Sequence, residues 1–317
     1  MMKNMRNKKY PLILGLLILL IILIPGIFTA KKFSTDKSKS INSLMLLIET
    51  KEIEGILQWE KELDQRGLAT LINVKQDVLE RNPETFKRLA SKGYEVAGQI
   101  DGPPFWDMPY EEQYEYIKKV KEVTEAITGK KMRVVNSGYF AYDENTLKAS
   151  DALGIEYVLG RGVRDIEAVI FKPEEYQVKV ISVSNVDIGE PMGRGSLCDY
   201  SLWARGATPL EFGQMIDESI AKEPTNMILV SHANIGGTRA EWWHEYAKVL
   251  ANDKISWKSF DEWISDQGLE VLPNREIPIN KEVKYGVPTP AKAIEDYEPV
   301  SGIENIPSFS DDEIMCR

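Results

Sequence analysis

Residues 11–30 form an unbroken apolar run without a single charge, and this run divides what the rest of the chain can fold into. Twenty residues rise about 30 Å as a helix, the hydrocarbon thickness of a bilayer. Lys3, Arg6, Lys8 and Lys9 precede the run, as in a signal sequence or signal anchor. The exit reads Ile27-Phe28-Thr29-Ala30, and Phe28 stands where signal cleavage needs a small residue. The segment therefore reads as one uncleaved transmembrane anchor. Lys31, Lys32, Lys37 and Lys39 come directly after it, so the basic flanks nearly balance. Signal anchors of this form commonly export the domain on their C-terminal side. The expected arrangement is a basic segment (1–10), a membrane span (11–30), a linker (31–41), one extracytoplasmic domain (42–275) and a Pro-rich, acidic tail (276–317).

Charge narrows the partners. Residues 1–40 hold eight Lys/Arg and one acid, a net of +7; the whole chain is −10, which leaves −17 for the remainder. Phosphate backbones would repel so acidic a domain, and nucleic acid is excluded as its partner. Two cysteines, Cys198 and Cys316, make no disulfide framework, and a bridge between them stays open.

Beyond the linker, apolar strand-like runs alternate with punctuated helices. Residues 43–48 read as a buried strand and lead into an amphipathic helix that stops at Gly67. Further strands fall at 68–74, 94–98, 133–135, 156–159, 178–183 and 227–230, with a closing strand at 271–272. Asn82-Pro83, Asp143, Thr208-Pro209-Leu210-Glu211 and Ser259 with Glu262 are helix-start signals. Residues 187–207 read as a long polar loop. Repeated strand–helix units imply a parallel sheet flanked by helices, and this many short strands fit an α/β barrel better than a flat sheet. Such barrels carry their sites at the C-terminal strand ends. That places Glu49-Thr50, Gln99 to Asp101, Asn136 to Tyr139, and His232 at the expected mouth.

Asn82-Pro83-Glu84, Leu89-Ala90, Gly93-Tyr94-Glu95-Val96, Tyr110-Glu111-Glu112-Gln113, Ile127-Thr128-Gly129-Lys130-Lys131 and Tyr142-Asp143-Glu144-Asn145-Thr146-Leu147 occur in that order. With Gly67-Leu68-Ala69-Thr70-Leu71 before them, they resemble the polysaccharide deacetylases with a NodB-homology domain. The resemblance implies a distorted (β/α) barrel of the NodB type that acts on carbohydrate. It also implies a divalent metal held by one Asp and two His, with a second Asp as base. This chain departs there. Glu49 falls on the base, Thr50 on the metal-binding Asp, and Gln99 and Pro103 on the two histidines. Asn136 replaces the arginine of the third motif, Tyr139 is kept, Asp199 and Trp203 resemble the fourth motif, and Val230-Ser231-His232 keeps the fifth.

The expected catalytic pair is thus Glu49 and His232, as base and acid, with Asp101, Asn136, Tyr139, Asp199 and Trp203 around the pocket. No standard metal set exists and no cofactor is expected. Zinc or another divalent ion could enter only through a non-standard site, such as one built from Asp101, Asp187, Glu190 and Asp199 with Glu49 and His232. Without a Lewis acid, a Glu/His pair supplies about 10²- to 10⁴-fold by proton transfer and no polarised carbonyl. The expected function is a membrane-anchored domain that binds or acts on envelope glycan without the usual zinc-dependent deacetylation. The alternative is an active N- or O-deacetylase with an altered site. His244 reads as a surface residue, and Trp243 and Trp263 as packing rather than sugar platforms.

Overall fold

The computed structural model of the protein describes residues 40–189, 193–279, 290 and 292–304. The expected membrane span (11–30), most of the linker, Glu190 and Cys316 lie outside the described residues. Among the described residues, no helix is long and apolar enough to cross a membrane.

The strands are β1 (Ile41–Glu49), β2 (Leu71–Lys75), β3 (Glu95–Gln99), β4 (Val134–Asn136), β5 (Tyr157–Gly160), β6 (Val169–Pro173), β7 (Lys179–Ser182), β8 (Asn185–Asp187), β9 (Arg194–Ser196), β10 (Asn226–His232), β11 (Ile255–Trp257) and β12 (Leu269–Leu272). One sheet runs β10-β1-β2-β3-β4-β5-β7-β6-β12, with β11 beside the start of β1. Its pairs are parallel except β6 with β7. The sheet curls until the starts of β6 and β10 approach. Ala168 N–H donates to the Asn226 carbonyl at 3.0 Å, and the Glu167 carboxylate accepts from the backbone N–H of Thr225 and Asn226. The α/β alternation expected from the sequence is present, as a curled sheet of the half-barrel kind in which β6 and β10 are not paired as strands.

The side-chain period of two sorts each strand onto two faces. Leu44, Leu46 and Ile48 point inward with Leu71, Ala97, Val134, Tyr157, Leu159, Ile228 and Val230. Met45, Leu47, Ile72, Val74, Val96 and Leu229 point outward onto the helices, among them Ile56, Trp59 and Leu63 of α1 (Glu54–Gln65). Both faces are therefore apolar, as a helix-covered parallel sheet requires. Fully burying each such side chain contributes about 1.5–3 kcal/mol.

Several stretches differ from the sequence reading: β6, β11 and a helix at Gln76–Arg81 have no counterpart in it, and two further differences bear on the site. The expected loop at 187–207 holds part of the β8–β9 hairpin and a short helix, Asp199–Trp203. In the expected tail, Ile294 and Tyr297 are buried in the helix-side core, and Val300 N–H donates to the Thr238 carbonyl at 2.8 Å. Arg239 is 2% exposed and donates from Nε to the Ile294 carbonyl. This part of the chain packs on the barrel because it carries apolar side chains at three-residue intervals within a polar segment. As expected, His244 is exposed and Trp263 lies in the core, while Trp243 meets Trp59 edge-on at 5.0 Å.

Candidate functional site

Parallel register lines up the strand ends. Lys75 pairs with Gln99, Gln99 with Asn136, and Ile48 with His232. Parity then decides which side chains face the barrel interior. Ile48 points inward, so Thr50 follows it inward and Glu49 does not. By the same count from Leu71, Ala97, Val134, Leu159 and Val230, the residues Lys75, Gln99, Asn136, Arg161 and His232 turn inward. All of these line one pocket of about 250 Å³ at the barrel mouth, with Thr50, Asp101, Tyr139, Phe140, Cys198, Tyr200 and Arg205. That is slightly below the roughly 300 Å³ at which ligand pockets generally begin, so a single ring-sized group fits better than a buried polymer.

Glu49 has another task. It is fully buried and is not among the pocket-lining residues. Its Oε1 accepts the backbone N–H groups of Thr50, Lys51 and Glu52 at 2.9, 2.8 and 3.2 Å. Burial pushes its carboxyl up to about 8, against these three donors, which pull it down. The expected base is thus a carboxyl that ties down the loop leading into α1, turned onto the helix side by strand parity.

His232 does reach the pocket, and Asp199 sits beneath it. Asp199 is fully buried. Its Oδ1 accepts the N–H of Tyr200 (2.6 Å) and of His232 (2.8 Å). Its Oδ2 accepts the Ser231 hydroxyl (3.0 Å) and the Gly236 N–H (3.1 Å). His232 Nδ1 lies 3.4 Å from Asp199 Oδ1 and 3.2 Å from Cys198 Sγ. Nδ1 thus faces both the thiol and the carboxylate, and Nε2 lies on the opposite edge of the ring. The imidazole also packs against Tyr200, with ring centroids 4.8 Å apart. A Cys–His–Asp nucleophile relay needs the thiol and the carboxylate on different ring nitrogens. Here both meet Nδ1, and burial together with the Asp199 charge raises the Cys198 thiol well above its usual range.

The other expected residues divide. Asn136 and Tyr139 line the pocket, as does Asp101, whose exposed carboxylate pairs with Lys75 at 3.1 Å. Trp203 is 1% exposed in the helix-side core, with its indole N–H on the Lys292 carbonyl. It supports the wall from behind. Asp187 is exposed at the end of β8 and is not among the pocket-lining residues. Sequence reasoning missed Lys75, Arg161, Tyr200 and Arg205. Arg161 was readable as the first residue beyond a strand with known parity. Tyr139 and Phe140 both take left-handed backbone conformations, φ 64° and 55°. Such strain costs about 1–3 kcal/mol per residue and concentrates at functional sites.

The family's metal does not fit these residues. Thr50 offers a hydroxyl, Gln99 a neutral amide whose Oε1 accepts from Asn73 Nδ2 at 3.1 Å, and Pro103 no donor at all. Among the described residues, one group of His, Cys and acidic side chains comes within metal-ligand range: Cys198, Asp199 and His232. Hydrogen-bond donors already occupy both Asp199 oxygens, and the Cys198 thiol is held neutral. Metal binding would require deprotonating that thiol and stripping the carboxylate.

Residues 61–158 match the polysaccharide deacetylase family model, so the resemblance read from the motifs holds over that stretch. A search of curated proteins finds no match. Among solved structures, a putative polysaccharide deacetylase from Mycobacterium smegmatis is similar at 12% identity and TM-score 0.55, over 75% of this chain and 96% of that one. A probable polysaccharide deacetylase from Pseudomonas aeruginosa PAO1 is similar at 12% identity and TM-score 0.56, over 72% and 91%. A CE4 family pseudoenzyme from Bacillus anthracis is similar at 11% identity and TM-score 0.51, over 74% and 70%. At these identities the likeness establishes the fold.

Proposed function

We propose that this divergent relative of the polysaccharide deacetylases binds envelope carbohydrate at its barrel mouth without zinc-dependent deacetylation. One observation carries the reading: the pocket is kept, but at the strand ends Thr50, Gln99 and Asn136 stand beside cations and aromatics, and the family's Asp and two-histidine metal set is not among its lining residues. Gln99 and Asn136 offer planar hydrogen-bonding groups, and Tyr139 and Tyr200 offer ring faces, the combination that suits a hydroxylated ring. Lewis-acid polarisation and metal-activated water are what the family's metal would supply. The family's metal ligands are not in this wall to supply either, and Glu49 does not line the pocket to act as base.

The fold does not decide this, because one barrel hosts binding and catalysis alike. The similar barrel from Bacillus anthracis is itself a CE4 family pseudoenzyme. Residues 11–30 serve in this proposal as a single-pass membrane anchor that holds the domain outside the cytoplasm, where surface glycan is found.

A second reading rests on the His232–Asp199 contact, which would let His232 act as an acid or base in hydrolysis through an altered site. The deciding experiment uses the full chain in detergent, with N- and O-acetylated oligosaccharides. The first reading expects saturable binding, sub-stoichiometric zinc and no acetate. Acetate release abolished by His232→Ala would establish the second and overturn the first.

A further inference from the structure

We infer that the pocket selects an anionic sugar, one carrying a carboxylate or a phosphate ester, over the neutral acetylated sugars. This rests on the carbohydrate reading and names the class of ligand within it. Beyond residue 40 the chain has a net charge of −17, the whole-chain −10 less the +7 of residues 1–40. Yet Lys75, Arg161 and Arg205 line the pocket beside His232; Asp101, the one carboxylate among the described lining residues, pairs with Lys75 at 3.1 Å, so the two arginines carry the excess. An acidic protein has thus gathered cations at the mouth of its barrel.

The two arginines are set in place. Arg161 comes directly after β5 and is 8% exposed, and an arginine this buried is held by partners. Its guanidinium stacks over Trp106 at 5.5 Å, and Nη2 donates to the Tyr139 carbonyl at 3.4 Å. Tyr139 is one of the two strained residues, and its left-handed backbone presents that carbonyl. Arg205 is held from the other wall, where Nη1 donates to the Ser201 carbonyl and hydroxyl at 2.5 and 2.8 Å. A planar guanidinium with a fixed orientation matches carboxylate and phosphate geometry, and it is weakly hydrated compared with an ammonium.

An independent observation points to a ligand with its own donors. Asn136 is 3% exposed and lines the pocket, and its Oδ1 has no hydrogen-bond partner within the protein. A buried acceptor of this kind requires an O–H or N–H, which a sugar hydroxyl supplies. Cations and an unsatisfied acceptor in one pocket together fit a hydroxylated ring with an acidic substituent.

The test titrates the full chain in detergent with three probes: a trigalacturonate, a glycerol-phosphate oligomer and neutral tri-N-acetylglucosamine. One or both anions should bind at least about tenfold tighter than the neutral trimer and weaken as salt is raised. The anion that binds identifies carboxylate or phosphate as the source. Arg205→Gln should cost about tenfold for the anion and less than about twofold for the neutral trimer. Asp101→Asn, at an exposed position that burdens folding little, should raise anion affinity. Arg161→Gln is expected to match Arg205→Gln and is scored with a thermal melt, since that residue is buried. Equal binding of neutral and anionic probes, unmoved by Arg205→Gln and Asp101→Asn, overturns the anion preference and leaves the carbohydrate reading standing. Failure of all three probes to bind overturns the carbohydrate reading itself.

Discussion

Replacing Glu49 with glutamine removes one ionisable group from the core while keeping its Oε1 as an acceptor for Thr50, Lys51 and Glu52. Burial holds the wild-type carboxyl at about 8 in the folded protein, against 4.5 when exposed. Between those values the folded chain retains a proton that the unfolded chain releases, so stability falls as pH rises from 4.5 to 8 and then levels off. At 1.36 kcal/mol per pH unit, the 3.5-unit interval between 4.5 and 8 bounds the loss at about 5 kcal/mol. Glutamine has no such dependence. Its amide NH₂ takes the place of the protonated, unpartnered Oε2 and adds a second buried donor to the one O–H already there, which costs about 1–3 kcal/mol. Glu49→Gln should therefore be less stable than wild type near pH 5 and more stable near pH 8. Urea unfolding of the full chain, monitored by tryptophan fluorescence at half-unit pH steps, measures the difference curve. Subtraction cancels Glu95, whose carboxyl burial raises to about 7 and which slopes in the same direction. A flat difference between pH 5 and 8 would show that the three N–H donors outweigh burial and that Glu49 is ionised, which refutes the argument.

Asp199→Ala strips the acceptor from four donors at once, Tyr200 N–H, His232 N–H, Gly236 N–H and the Ser231 hydroxyl. It should lower stability by at least about 3 kcal/mol in denaturant unfolding, and a loss under about 1 kcal/mol would contradict the cage. A Cβ on Gly236 would sit 2.3 Å from Ser231 Oγ and 2.6 Å from Asp199 Oδ2. Gly236→Ala should therefore cost about 1–3 kcal/mol and weaken ligand binding, while a variant as stable as wild type argues against so tight an approach. In a Cys316→Ser background, Cys198 should react with iodoacetamide at pH 8 at least about tenfold more slowly than after unfolding, because burial and Asp199 keep the thiol protonated. Equal rates in the two states would exclude that environment.

Much of the barrel was legible because its helices announce themselves. The capping boxes at Asp143, Thr208 and Ser259 all form, each with the side chain accepting the backbone N–H three residues on. Facing was less legible. In β1, residues 44–48 are apolar on both sides, so no polar alternation reveals which side chains turn inward. Pairing and curl decide it, and they send Glu49 to the helices and Thr50 to the pocket. His232 was found because a strand with a clear end delivers it. Asp199 was found by resemblance, but its place under His232 depends on the bridge between Cys198 and Val230, which no local pattern encodes. The β8–β9 hairpin escaped notice because each strand has three residues and its sequence is rich in glycine. Ile294, Tyr297 and Val300 carried a three-residue apolar spacing that distinguishes them from the surrounding polar tail.

The central claim is that the barrel mouth binds carbohydrate without using a metal. Calorimetric titration of the full chain with the tightest of the sugar probes, after chelation and again with added zinc, tests it most directly. The account predicts one affinity in both conditions, within about twofold, with the ligand recovered chemically unchanged. Binding that disappears on chelation and returns with zinc would contradict it.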